Sequence, residues 1–174
     1  TFVQPITRYM TKIIEKYAVV NDRNYLTFKV NNTKIMDSLG NNAQNLAQIR
    51  ELMHTLLYQH EFYVDSIVLT AASSPEGSFR HNNRLARERA FALSNYLRRE
   101  FDFPELDTLL TVRWEGENWA DFRTEVLRDE EVANGEEIVR LAERIADPDE
   151  REAAIRKRFG KDYKYIREVI YPRL

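Results

Sequence analysis

A chain of 174 residues is long enough for one domain with a full core, or for a core domain carrying an elaboration. Its 43% hydrophobic and 31% charged residues exclude intrinsic disorder, and a net charge of −2 offers no global attraction for nucleic acid, which is not expected as a partner. The lack of cysteine excludes disulfides, thiolate metal sites and cysteine nucleophiles, and no apolar run approaches the roughly 18 residues of a membrane helix.

The chain begins at Thr1 without Met or a signal-peptide pattern, so it is expected to be a processed or excised part of something longer. Residues 1–20 place Ile6, Tyr9, Met10, Ile13, Ile14 and Tyr17 at helical spacing behind Pro5 and predict a helical N-terminal extension. Residues 24–30 alternate, with Leu26, Phe28 and Val30 on one side, which predicts a half-buried strand. Gly40-Asn41-Asn42 marks a loop, and over 43–60 the spacing of Leu46, Ile49, Leu52, Met53, Leu56 and Leu57 predicts an amphipathic helix.

Residues 63–71 are dense in β-branched and apolar side chains and predict an interior strand. Ser73-Ser74-Pro75-Glu76-Gly77-Ser78 breaks that pattern. A second helix follows over 82–100, with Leu85, Ala86, Ala90, Leu93 and Leu97 on one stripe, and residues 108–114 read as the next strand. The alternation predicts an α/β layer structure with both helices on one face of a three-stranded sheet.

Residues 118–170 are helical in pattern and heavily charged. Asp147-Pro148 is a helix start and Gly160 a stop. Their charge density predicts too little apolar surface for a core of their own, so they are expected to decorate a single domain spanning 1–174, whose core is 24–117. Trp114, Trp119, Phe122, Tyr163 and Tyr165 either pack these helices onto the sheet or anchor a protein partner.

The stretch from Ile67 through Ser73-Ser74-Pro75-Glu76-Gly77-Ser78, then Asn82, Leu85, Arg89-Ala90, Leu93 and Tyr96-Leu97, resembles the signature of the OmpA-like, peptidoglycan-associating domain family. There a strand enters a glycine-containing loop, followed by an Asn, an Arg-Ala helix opening and an aromatic-Leu pair. The Ser-Pro-Glu-Gly-Ser loop looks like a variant within that family, and the likeness covers about 90 residues. It implies a βαβαβ two-layer sandwich with an added C-terminal helical segment, and a periplasmic, outer-membrane-associated place in the cell envelope. In the family an edge strand usually follows the last helix; here Tyr171-Pro172-Arg173-Leu174 stops where it would begin.

The ligand that the resemblance implies is the diaminopimelate residue of a peptidoglycan stem peptide, with Arg89 at the family's arginine. The family's loop aspartate aligns with Ser74, and Glu76 is the nearest substitute acid. Such a ligand asks for a guanidinium at its carboxylate, an acid at its ammonium, and N–H groups from the loop and the helix start. The expected ligand-binding set is Ser73, Ser74, Glu76, Gly77, Asn82 and Arg89. Arg89, Asn82, Gly77 and Ser73, with Ser78 beside them, also have plainer readings. Arg89 suits a surface ion pair, Asn82 a helix N-cap, Gly77 a positive φ, and the two Ser residues flanking the loop ordinary turns.

No catalytic residue, cofactor or metal site is expected. His54, His60 and His81 are not at ligand spacing, and nucleophile-elbow, phosphate-loop and dinucleotide motifs are missing. The chain therefore reads as a peptidoglycan-binding envelope module. The alternative is a structural adaptor on the same fold, with a degenerate site and a protein partner.

Overall fold

The computed structural model describes residues 24, 26–29, 32–59 and 63–174. The expected helix over 1–20, and positions 25 and 30 of the expected first strand, lie outside them. The described chain is a mixed α/β structure, mostly helical, with a small parallel sheet.

Helix α1 (Asn42–Tyr58) buries Leu46, Ile49, Met53 and Leu57, the stripe that its spacing dictates. Strand β1 (Ile67–Ala72) leads through the loop into α2 (Phe79–Glu100). A single helical turn, α3 (Leu106–Leu109), then precedes β2 (Leu110–Glu115). The strands pair in parallel from Ile67↔Leu110 to Ala72↔Glu115, a β-α-β unit with α2 as its crossover. Ile67 and Leu69 join one buried cluster with α1 (Leu46, Ile49, Met53, Leu57), α2 (Tyr96, Leu97) and Phe101, Leu106 and Leu110. Both helices thus share one apolar cluster with residues of the two strands.

Three expectations are corrected here. Residues 26–29 alternate in burial as expected, yet they form no strand, and the described sheet has two strands. Their ladder groups are taken by a side chain: the fully buried Asn42 accepts from the Thr27 amide and donates to the Thr27 carbonyl, each at 2.8 Å, and also donates to Met36 O. A carboxamide presents a donor and an acceptor as a peptide group does, so it satisfies one residue's worth of ladder. The second concerns β1, which starts at Ile67 rather than residue 63. Its partner β2 begins only at Leu110, because the α3 turn winds up the residues before it, leaving 63–66 without a ladder neighbour in the sheet. The third is α2, which starts at Phe79, three residues before the expected position, because Ser78 caps it by accepting from His81 N.

Past β2 come α4 (Trp119–Arg128), α5 (Gly135–Arg144), α6 (Pro148–Arg158) and α7 (Gly160–Tyr165), the last continuing through a π-helical turn (Ile166–Ile170) and a 3₁₀ turn (Tyr171–Arg173). Asp147 caps α6 as the sequence indicates, its carboxylate accepting from Glu150 N. Gly160 opens α7 rather than closing α6 in a left-handed turn. The expectation of too little apolar surface is also corrected. Phe122, Val126, Ile138, Ile155, Ile166 and Ile170 anchor a buried cluster drawn entirely from residues after Asn118. No described helix is long and apolar enough to cross a membrane.

Candidate functional site

The expected ligand loop runs from the end of β1 to the start of α2, and its shape is set by Asn82. This side chain, at the end of the first turn of α2 and buried, donates from Nδ2 to Ser74 O at 3.2 Å and to Glu76 O at 3.0 Å. Ser73 Oγ returns the link by donating to Asn82 O at 3.0 Å. Pro75 is fully buried beneath the loop, and Gly77 turns the chain with φ +91°, the left-handed region where glycine bears no Cβ penalty. The expected N-cap role of Asn82 passes to Ser78, and Asn82 instead pins the loop carbonyls.

The structure brings Ser73, Ser74, Glu76, Gly77 and Asn82 together and places Arg89 elsewhere. Arg89 lies two turns beyond Asn82, about 10 Å along the axis. Its guanidinium sits 4.7 Å over the Phe28 ring, and its Nε donates to Asn32 O at 3.4 Å. Burial lowers its pKa. Among the described residues Arg89 makes no ion pair with a carboxylate, so the plain surface ion pair is not realised, and its contacts are with Phe28 and Asn32 rather than with the loop.

What meets the loop is the chain's own helical tract. Glu117, buried in the turn after β2, accepts from Asn82 Nδ2 at 2.9 Å through one carboxylate oxygen and from Trp119 Nε1 at 2.7 Å through the other. Asn118 N donates to Ser73 O at 2.8 Å. At the start of α2, Phe79 N donates to Asp149 Oδ1 at 2.7 Å, so the carboxylate expected at this helix N-terminus is supplied by α6. Burial raises the Glu117 carboxyl, with Asp149 and Glu152 adding to the effect and the two hydrogen bonds opposing it. Behind it Tyr163 donates to Glu152, and burial together with that carboxylate raises the Tyr163 hydroxyl.

The residues that meet the loop and that sequence reasoning did not connect to it are thus Glu117 and Asp149. Asp149 sits inside a motif that explains itself as a helix start, and Glu117 lies where the strand pattern has ended, so neither carried a signal linking it to partners 70 and 35 positions earlier.

Of the five aromatics singled out, Trp119, Phe122, Tyr163 and Tyr165 belong to the tract's own cluster, whereas Trp114 stays 37% exposed. A cavity of about 120 Å³ between α4 and α5, lined by Trp119, Phe122, Arg123, Val139, Ala142, Glu143 and Arg151, is smaller than the few hundred Å³ of ordinary ligand pockets. Among the described residues no group of three His, Asp or Glu side chains is placed to hold a metal ion. No protein-family model, no curated protein and no solved structure matches the chain.

Proposed function

We propose that this chain is a non-catalytic module of OmpA-like type from the cell envelope, acting as a structural adaptor for a protein partner with a ligand loop closed by its own carboxylates. One observation carries the reading. The donors that a stem-peptide carboxylate would use, Asn82 Nδ2 and the Phe79 amide, are already held by Glu117 and Asp149. Arg89, which the resemblance makes the ligand's guanidinium, is engaged with Phe28 and Asn32. Displacing two charge-assisted hydrogen bonds costs an incoming carboxylate about what it would gain by forming them.

Isothermal titration with diaminopimelate-containing muropeptides tests this on wild type, Arg89→Ala and Ser74→Asp. The adaptor reading expects no heat of binding from wild type. Binding by wild type that Arg89→Ala weakens by at least about 1.5–3 kcal/mol, the worth of a hydrogen bond to a charged group, overturns it in favour of peptidoglycan association. Turnover of peptidoglycan overturns the non-catalytic part.

A further inference from the structure

The two flanks of α2 differ. On one side Tyr96 receives a 2.6 Å hydrogen bond from Arg50 of α1, and Arg89 covers Phe28. On the other, Arg80, Arg84, Arg87 and Phe91 recur at i, i+4, i+7 and i+11, a single stripe about 16 Å long, and all four are exposed. Trp114 at the end of β2 completes it. Phe91 is 40% and Trp114 37% exposed, their ring centroids lie 6.1 Å apart, and the Arg87 guanidinium stands 5.8 Å from one and 5.6 Å from the other.

The charges on this flank are unbalanced. Arg98, Arg123, Arg128, Arg140 and Arg173 each meet a carboxylate at 3.0 Å or closer. Arg80 and Arg87 meet none among the described residues, and Arg84 has only a 4.0 Å approach to Glu88 and a 3.3 Å contact with the His81 ring. Guanidinium groups held beside solvent-exposed aromatic rings form the composition of interface hot spots.

We infer that the flank of α2 formed by Arg80, Arg84, Arg87, Phe91 and Trp114 docks an acidic segment of a partner protein that also carries an aromatic or aliphatic side chain. This names the partner class of the adaptor reading and rests on it. About five extended residues span the stripe at 3.3 Å each, enough for carboxylates to meet the guanidiniums in forked pairs while one apolar side chain covers Phe91 and Trp114. The single short row of cations, on a chain of net charge −2, gives a long polyanion such as nucleic acid little further to bind.

The test is fluorescence anisotropy with a fluorescein-labelled peptide rich in glutamate and holding one phenylalanine, against a lysine-for-glutamate version and a single-stranded oligonucleotide. The whole chain is expected to bind the acidic peptide alone. Arg80→Glu and Arg87→Glu should each weaken it at least about tenfold, with a strong salt dependence. Trp114→Ala should weaken it without changing that dependence. Circular dichroism of these surface variants shows whether they remain folded, and Arg87→Lys, which keeps the charge and loses the planar stacking, should fall between wild type and Arg87→Glu. No binding of the acidic peptide, binding indifferent to both reversals, or tighter binding of the oligonucleotide overturns the assignment. Muropeptide titration of the same Arg87→Glu protein keeps the two ideas apart. Muropeptide binding, by this variant or by wild type, sinks the adaptor reading, whereas a wild type that binds neither muropeptide nor acidic peptide sinks only the flank.

Discussion

Glu117 is a carboxylate buried among other acids, held by one amide and one indole N–H. Burial first, then Asp149 and Glu152, raise its pKa above the ordinary 4.5, so the folded chain holds this proton more tightly than the unfolded one. The sign follows from linkage. Stability from this group is greatest below the unfolded pKa and is lost as pH rises through the folded one. Glu117→Gln removes the titration. In urea unfolding from about pH 4 to pH 7, wild type should therefore lose stability relative to Glu117→Gln as pH rises. A difference that stays constant across that range contradicts the assignment of a raised carboxyl. At this scale the sequence was legible where a residue's role is local: Asp147 is a cap and Gly77 holds a positive φ because their neighbours in the chain demand it. It was not legible for Asn82, which suits a cap equally well. Only the arrival of Glu117 from 35 positions away makes it a buried bridge.

Elements reveal where periodicity is enough and where it needs a partner. The stripes of α1 and α2 could be read because an amphipathic helix satisfies its own backbone and asks its surroundings only for an apolar face. The segment 26–29 has strand periodicity, but periodicity does not supply a neighbour, and Asn42 takes the hydrogen bonds a strand would need. Between α4 and α5 the approach is set by a glycine. A Cβ on Gly135 would lie 2.9 Å from the Val126 carbonyl oxygen, a backbone atom inside α4 that cannot swing aside. Gly135→Ala should therefore force the two helices apart and cost about 1–3 kcal/mol, the usual range for overpacking. Gly160→Ala is the control, since nothing lies within 4 Å of its Cβ position, and there a helix-favouring residue should be neutral or mildly stabilising. Chemical denaturation of both checks this; equal losses would mean that the close approach at Gly135 is not what matters.

At the scale of the whole molecule, the described residues form two apolar clusters, one on the sheet side and one within the tract. The charged helices α4 to α7 concealed the second from sequence reading because each contributes only one to three buried apolar side chains, and those pool only when the helices are folded together. The contacts that tie the two clusters are largely polar: Glu117 to Asn82, Asn118 N to Ser73 O, and Asp149 to Phe79 N, beside the close passage of Gly116 against the Phe79 ring. Cooperativity then depends on a few charge-assisted bonds, each worth about 1.5–3 kcal/mol, rather than on a shared core. Scanning calorimetry of wild type should show one transition. Leu97→Ala in the first cluster and Ile155→Ala in the second, each removing a fully buried side chain at about 2–5 kcal/mol, should both lower that one transition by several degrees. In the double variant Glu117→Ala, Asp149→Ala the transition should divide. Adding Leu97→Ala should then move one component and Ile155→Ala the other. A double variant that still melts in one step, with both core substitutions moving it, would show that the carboxylate bridges are not what couples the two halves.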